Sequence, residues 1–201
     1  MTNSYNDLVH QTFNFPQEDY DLQDDYLQYN GVDVKALIDK YGTPLKMTFL
    51  PKIGMQINKA KKMFANAFKK HKYEGEYFYC YCTKSSHFSF IVEEALKSNI
   101  HLETSYAYDI EIINKLYEKK KINKDTFIIC NGFKQKPYIS RIARLLNTGF
   151  KNVIPVLDNK GELAAYRKSV KVPFNIGIRV AAEEEPTFPF YTSGLGLREK
   201  D

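Results

Sequence analysis

The sequence predicts an α/β fold built on a parallel sheet, and three observations predict it. Strand-like runs recur at even spacing over residues 77–83, 101–105, 126–130, 152–157 and 174–181. The first four of these runs are each followed by apolar residues at helical spacing, the alternation expected of right-handed βα units. Two of the strands, 127–130 and 153–157, are apolar on both faces, as buried parallel strands are. Five such units fit either an open doubly wound sheet or the first part of an eight-stranded βα barrel. No Gly-x-Gly-x-x-Gly or Walker loop follows any strand, which counts against the nucleotide-binding version.

Ahead of this repeat the pattern is less regular. Residues 1–25 are polar, with Phe13, Phe15 and Tyr20 as the apolar anchors, and read as an arm lying on something larger. Residues 26–34 read as two short strands around Asn30-Gly31, a pair suited to a tight hairpin turn. Asp33 is placed to cap a short helix through Tyr41, which Gly42 and Pro44 stop. Residues 45–50 alternate weakly and predict a further strand. From Ile53, the positions Ile57, Ala60, Phe64, Ala67 and Phe68 continue one helix face, with Lys59, Lys62, Lys69 and Lys70 opposite. Stacking aromatics are not interleaved with those lysines, so this is a solvated face and not a nucleic-acid surface.

Within the repeat, Ser85 or Ser86 is the expected N-cap of a helix burying Phe88, Ile91, Val92, Ala95 and Leu96. The next helix turns Ile110, Ile113 and Leu116 or Tyr117 inward. Another starts at Pro137 and ends at Gly149, the usual asymmetry of helix ends. Asp158 or Asn159 caps the last, with Glu162 spaced for a capping box to Asn159.

A formal net charge of +5 on 201 residues is mild, and the lysines are spread over several faces, which gives no reason to expect a nucleic-acid partner. Of the three cysteines, Cys80 and Cys82 point the same way along one strand and Cys130 stands alone; they lack the further ligands of a zinc site and read as reduced, buried thiols. With no basic-apolar leader and no apolar run of membrane length, the expectation is a soluble, cytoplasmic protein.

Reactive residues of a βα barrel lie at the C-terminal strand ends. Those ends carry Lys84, then Glu103 and Ser105, then Asn131, Asp158 and Arg179. Alternation puts Cys80, Cys82 and Lys84 on one strand face and Tyr79, Tyr81 and Thr83 on the other. Projected into a barrel interior, Lys84 would be desolvated and pushed toward the neutral amine, the nucleophile needed for a Schiff base with pyridoxal phosphate. Glu103 and Arg179 supply charges to balance and orient that site. The competing reading has Lys84 reaching from a strand end to water. His87 reads as a cap or surface residue; His10, His71 and His101 have no triad pattern around them; Glu183 to Glu185 read as a solvated loop.

The run Tyr79-Cys-Tyr-Cys-Thr-Lys-Ser-Ser-His-Phe-Ser-Phe-Ile-Val-Glu-Glu-Ala-Leu96 resembles the cofactor-lysine segment of the fold-type III pyridoxal-phosphate decarboxylases. His101-Leu-Glu-Thr-Ser105 is similar to their second barrel strand, Phe127-Ile-Ile-Cys-Asn-Gly-Phe-Lys134 to the third, and Ile176-Gly-Ile-Arg-Val180 to the fifth. Tyr41-Gly-Thr-Pro44 resembles the lead into the barrel. The Cys-Asn-Gly segment, the long N-terminal arm and Thr192-Ser-Gly-Leu-Gly196 resemble the biosynthetic arginine decarboxylase branch, although Gly194 stands where a basic residue is usual.

The resemblance implies the first five units of a (β/α)8 TIM-type barrel over residues 51–201, preceded by a segment, 1–50, that belongs to a β-domain completed elsewhere. It implies pyridoxal 5'-phosphate as cofactor, with Lys84 as its covalent anchor, Glu103 as the second-strand acid and Arg179 as the fifth-strand cofactor-site arginine. The implied reaction converts L-arginine to agmatine and carbon dioxide for polyamine biosynthesis, in a homo-oligomer when full length, with no nucleic-acid or membrane partner. Because the chain reaches Asp201 before the later barrel strands, little or no activity is expected of it alone. A sister decarboxylase acting on diaminopimelate, ornithine or carboxynorspermidine, and a non-catalytic half-barrel, are the alternatives.

Overall fold

The computed structural model describes residues 19–23, 26–181 and 196–197. The chain divides into two compact units, Met1–Thr48 and Phe49–Asp201.

In the first unit, β1 (Tyr20–Gln23), β2 (Tyr26–Tyr29) and β3 (Val32–Asp33) form an antiparallel sheet in that order. Asn30 and Gly31 both take positive φ, 50° and 77°, which is what a two-residue turn between twisted strands demands. Helix α1 (Val34–Tyr41) is capped as expected: the Asp33 carboxylate accepts the Ala36 N–H at 3.0 Å, and Gly42 closes the C-terminal end. The strand expected over 45–50 is not there; Leu45 and Met47 are exposed and have no neighbouring strand to pair with among the described residues. Phe13 and Phe15 lie outside the described residues.

The second unit opens with α2 (Pro51–His71) and continues as β4 (Cys80–Cys82), α3 (Ser89–Leu96), β5 (His101–Thr104), α4 (Ala107–Glu118), β6 (Ile128–Cys130), α5 (Lys136–Asn147), β7 (Val153–Leu157), α6 (Lys160–Ser169) and β8 (Gly177–Ile178). The five strands are all parallel and lie in sequence order, β4-β5-β6-β7-β8. The protein is therefore an α/β fold on a parallel five-stranded sheet, and the described residues do not close it into a barrel.

One sheet face is covered. Leu102, Ile128, Cys130, Val153 and Leu157 pack with Val92 of α3, Ile110, Ile113 and Leu116 of α4, Tyr138, Ile142, Leu145 and Leu146 of α5, and Tyr166 of α6. All four helices therefore lie on the same side, and burial of these apolar groups holds the layers together. The alternate strand residues, His101, Glu103, Ile129, Ile154 and Val156, are only half-buried. The strands that read as apolar on both faces thus have one face under helices and one open among the described residues.

Several local expectations are corrected. The first and fifth strands shrink to Cys80–Cys82 and Gly177–Ile178: β4 has a pairing partner on one side only, and beyond β8 the backbone is held on its far side by a single bridge, Val180 to Leu197. Neither Ser85 nor Ser86 caps α3, which begins at Ser89 after Phe88. The intervening backbone is spent on a turn: the Ser85 N–H donates to the Cys82 carbonyl at 3.2 Å, and the Tyr81 hydroxyl donates to the Ser86 carbonyl at 3.0 Å. Phe88 is accordingly exposed and not buried. In α4 Leu116 faces the core, while Tyr117 is 39% exposed. Helix α2 buries Ile57 against Ala95 and Ile100, but its Phe64 stays exposed, stacked on Tyr77 with ring centroids 4.0 Å apart.

Candidate functional site

Sequence-ordered parallel strands put every C-terminal strand end along one edge of the sheet. Lys84 follows β4, Ser105 follows β5, Asn131 follows β6, Asp158 follows β7 and Arg179 follows β8. The register pairs Cys82 with Glu103 and Glu103 with Ile129, so Cys82 and Glu103 share the open face. On the covered face Thr83 is fully buried, with its N–H and hydroxyl both donating to the Glu103 carbonyl at 3.0 and 3.1 Å. This double contact fixes the point where the chain leaves β4, one residue before Lys84.

Lys84 is exposed in the turn after β4. The burial expected around it is therefore not provided by the described residues. Among them, no hydrogen bond or ion pair links Lys84 to Glu103 or Arg179. Cys82 senses it nonetheless: burial, assisted by the Glu103 carboxylate, raises the Cys82 thiol above its usual range, while the Lys84 backbone N–H and ammonium pull the other way.

The Glu103 carboxylate is held by two neighbours. Asn131 Nδ2 donates to its Oε1 at 3.3 Å, and the Cys82 thiol approaches the same oxygen at 3.6 Å. Asn131 in turn accepts the Gly132 N–H at 2.9 Å. Gly132 has φ +77°, and a Cβ there would stand 3.0 Å from the Ser105 carbonyl, so the Asn-Gly step lets the loop after β6 approach β5 closely.

A second group of charges lies beyond β6 to β8. Arg179 Nη1 is 3.6 Å from Asp158 Oδ1, and Lys134 Nζ is 3.5 Å from Asp158 Oδ2 and 3.4 Å from Glu162 Oε2. The Lys134 side chain is 0% exposed. Nothing in the sequence marks Lys134 or Glu162 as a site residue. Glu162 carries a visible signal, its spacing from Asn159, and Asn159 Oδ1 does accept the Glu162 N–H at 3.1 Å. The reciprocal half differs from the expected box: Glu162 takes the Asp158 N–H at 3.1 Å and the Asn159 side-chain amide at 3.4 Å.

Lys84 and Arg179 follow the first and the last of the five strands, four strand spacings or roughly 19 Å apart measured along the sheet. Among the described residues, no group of three or more His, Cys, Asp and Glu is arranged to hold a metal ion, and no helix is long and apolar enough to cross a membrane. His87 is exposed in the loop before α3, stacked against Phe88. His10 and Glu183 to Glu185 lie outside the described residues, as do residues 192–195 of the Thr192 to Gly196 segment.

The molecule so defined is a parallel α/β protein with a basic and acidic strand-end edge. Its similarity is to the biosynthetic arginine decarboxylases. The chain is 28% identical over 161 residues to the biosynthetic arginine decarboxylase of Bacteroides thetaiotaomicron, covering 74% of this chain and 25% of that protein. The protein of the same name from Phocaeicola vulgatus is again 28% identical over 161 residues, with the same coverage, and the one from Shewanella piezotolerans is 29% identical over 145 residues, covering 68% of this chain and 22% of its own. The chain thus spans about a quarter of the length of the curated relatives it matches. The crystal structure of the biosynthetic arginine decarboxylase of Campylobacter jejuni superposes with a TM-score of 0.66 at 22% identity, covering 83% of this chain and 30% of that one, a likeness of fold. No protein-family profile matches the chain.

Proposed function

We propose that this chain carries the first five units of a βα barrel and, at their C-terminal ends, part of the cofactor site of a pyridoxal-phosphate-dependent arginine decarboxylase serving polyamine synthesis. The sheet order supports the barrel half of this reading. Doubly wound sheets reverse strand order and cover both faces with helices, whereas here the order is sequential and the helices of the core share one face.

The observation that carries the site is the placing of Lys84, Glu103 and Arg179 at the same end of the parallel sheet. Their chemistry fits the cofactor. Lys84 offers an accessible primary amine for an aldehyde, Glu103 a carboxylate already oriented by Asn131, and Arg179 a half-exposed guanidinium for an anionic group. Bound there, pyridoxal phosphate would supply the electron sink for loss of carbon dioxide from an amino acid. Glu103 and Arg179 would set its orientation, and Lys84 would hold it. The open sheet face leaves these groups in water, where electrostatic orientation is weakest.

The 201-residue polypeptide is therefore expected to turn over arginine slowly if at all. Agmatine and carbon dioxide are measured after incubation with arginine and pyridoxal phosphate. Traces at most are expected, and sustained turnover at an ordinary enzyme rate overturns the partial-site reading.

A further inference from the structure

Four charged side chains from three segments meet beyond β6, β7 and β8, and three of them are almost wholly buried: Lys134, Asp158 and Glu162 have side chains 0%, 2% and 4% exposed. Two of these three are fully committed. The Lys134 ammonium donates to the Gly132 carbonyl at 2.6 Å, and the Glu162 carboxylate accepts the backbone N–H groups of Lys134 at 3.3 Å and Asp158 at 3.1 Å. Glu162 and Lys134 thereby tie the loop after β6 to the start of α6.

Asp158 is different. Both of its carboxylate oxygens are buried and neither has a hydrogen-bond partner among the described residues. It does not cap α6, since Asn159 does that. A buried carboxylate without hydrogen bonds is costly unless cations compensate it, and two stand beside it, Lys134 at 3.5 Å and Arg179 at 3.6 Å. With both cations counted the group of four is electrically neutral; without Arg179 it carries an excess negative charge in the interior. Arg179 is also the one member with substantial exposure, 35%, and its guanidinium has five donors, more than a single carboxylate can take.

We infer that Asp158 is a positioning residue: braced by Lys134 and Glu162, it fixes the Arg179 guanidinium at the C-terminal edge of the sheet so that the remaining donors face an anionic group, phosphate or carboxylate, of a bound ligand. Identifying that group with the cofactor rests on the function proposed above; the coupling of Asp158 to Arg179 does not.

The test uses the cofactor-free chain. Phenylglyoxal modifies arginines, and peptide mapping gives the rate at each. Asp158→Asn is expected to raise the Arg179 rate roughly tenfold through loss of a partly buried ion-pair contact, while exposed Arg167 stays unchanged as an internal control. Asp158→Glu restores much of the protection. Inorganic phosphate slows modification of Arg179 in the unchanged chain and does so less in Asp158→Asn. Because Asp158→Asn risks unfolding the chain, rotation of the Arg179 guanidinium is also measured by NMR in the unchanged protein, where it is expected to be slower than that of Arg167. Equal phenylglyoxal rates in a folded Asp158→Asn variant, or an Arg179 that rotates as freely as Arg167, overturns the inference. Restrained Arg179 in a chain whose Lys84 takes up no pyridoxal phosphate supports the positioning role and removes the cofactor reading.

Discussion

The side-chain amide of Asn131 donates to Glu103 Oε1 at 3.3 Å, joining the C-terminal ends of two neighbouring parallel strands. Glu103 is therefore presented with one oxygen already engaged, and its orientation depends on a residue from the next βα unit. Asn131→Ala is expected to lower stability by about 1.5 kcal/mol, the low end for a hydrogen bond to a charged group, because the contact is long. Asn131→Asp should cost more, because it sets like charges against each other. Urea unfolding of the two variants checks the order; an Asn131→Asp variant as stable as the parent contradicts the contact.

Lys134 stands between two buried carboxylates, and its removal should be among the most damaging single changes in the chain. Lys134→Met keeps the stem and deletes the charge, leaving Asp158 and Glu162 without their shared cation. A loss of about 3–5 kcal/mol is expected, the cost of breaking a buried ion pair from one side. The measurement is the denaturation midpoint. A variant unfolding within the error of the parent would show that the ammonium is not the compensating charge.

Stability should also fall with acid through His101. The Phe127 N–H donates to His101 Nδ1 at 3.2 Å, a contact available only to the neutral ring. Burial, with the Lys61 ammonium adding to it, holds the His101 pKa below its ordinary value of 6.5. The unfolded state then binds more protons than the folded one, so this contribution is present above about pH 6.5 and is lost as pH falls from there through the folded pKa. Thermal unfolding at several pH values should show that slope in the parent and a shallower one in His101→Gln. An identical slope in both excludes His101 as its source.

Of the three thiols expected to be buried, Cys130 is, while Cys80 and Cys82 on the open sheet face are half-buried, so the three should separate by environment. Burial pushes the Cys130 thiol up to about 12, and burial with the Glu103 charge raises Cys80 and Cys82 as well. Since the thiolate is the reactive form, Cys130 should resist a thiol reagent at neutral pH until the chain unfolds, and Cys80 and Cys82 should react more slowly than a free thiol. Mass mapping after timed labelling reads all three. Rapid labelling of Cys130 in the folded chain contradicts the packing of β6 under α4 and α5.

Much of the fold was legible in the sequence because its signals are local. Asn30-Gly31 forces its turn by φ alone, Asp33 caps within three residues, and Ile110, Ile113 and Leu116 mark an inward face by spacing. The errors arose where pairing or competition decided. The alternating stretch 45–50 has strand-like chemistry but no partner among the described residues, and Ser86 has a capping side chain but its backbone is taken by Tyr81. Lys134 was missed for the same reason. A lysine is read as exposed unless its counter-ions are known, and those come from Asp158 and Glu162, more than twenty residues further along. Arg179 was found by its strand-end place, while the carboxylate that holds it became visible only in three dimensions.

Lys84 remains the residue on which the functional account turns. The purified chain is incubated with a modest excess of pyridoxal phosphate, reduced with borohydride and digested, and the modified lysines are identified by mass. The account predicts a label concentrated on Lys84 and lost in Lys84→Ala, with the exposed lysines of α2, Lys59, Lys62, Lys69 and Lys70, modified only at background. A label spread evenly over the surface lysines, with none preferred at Lys84, would contradict it.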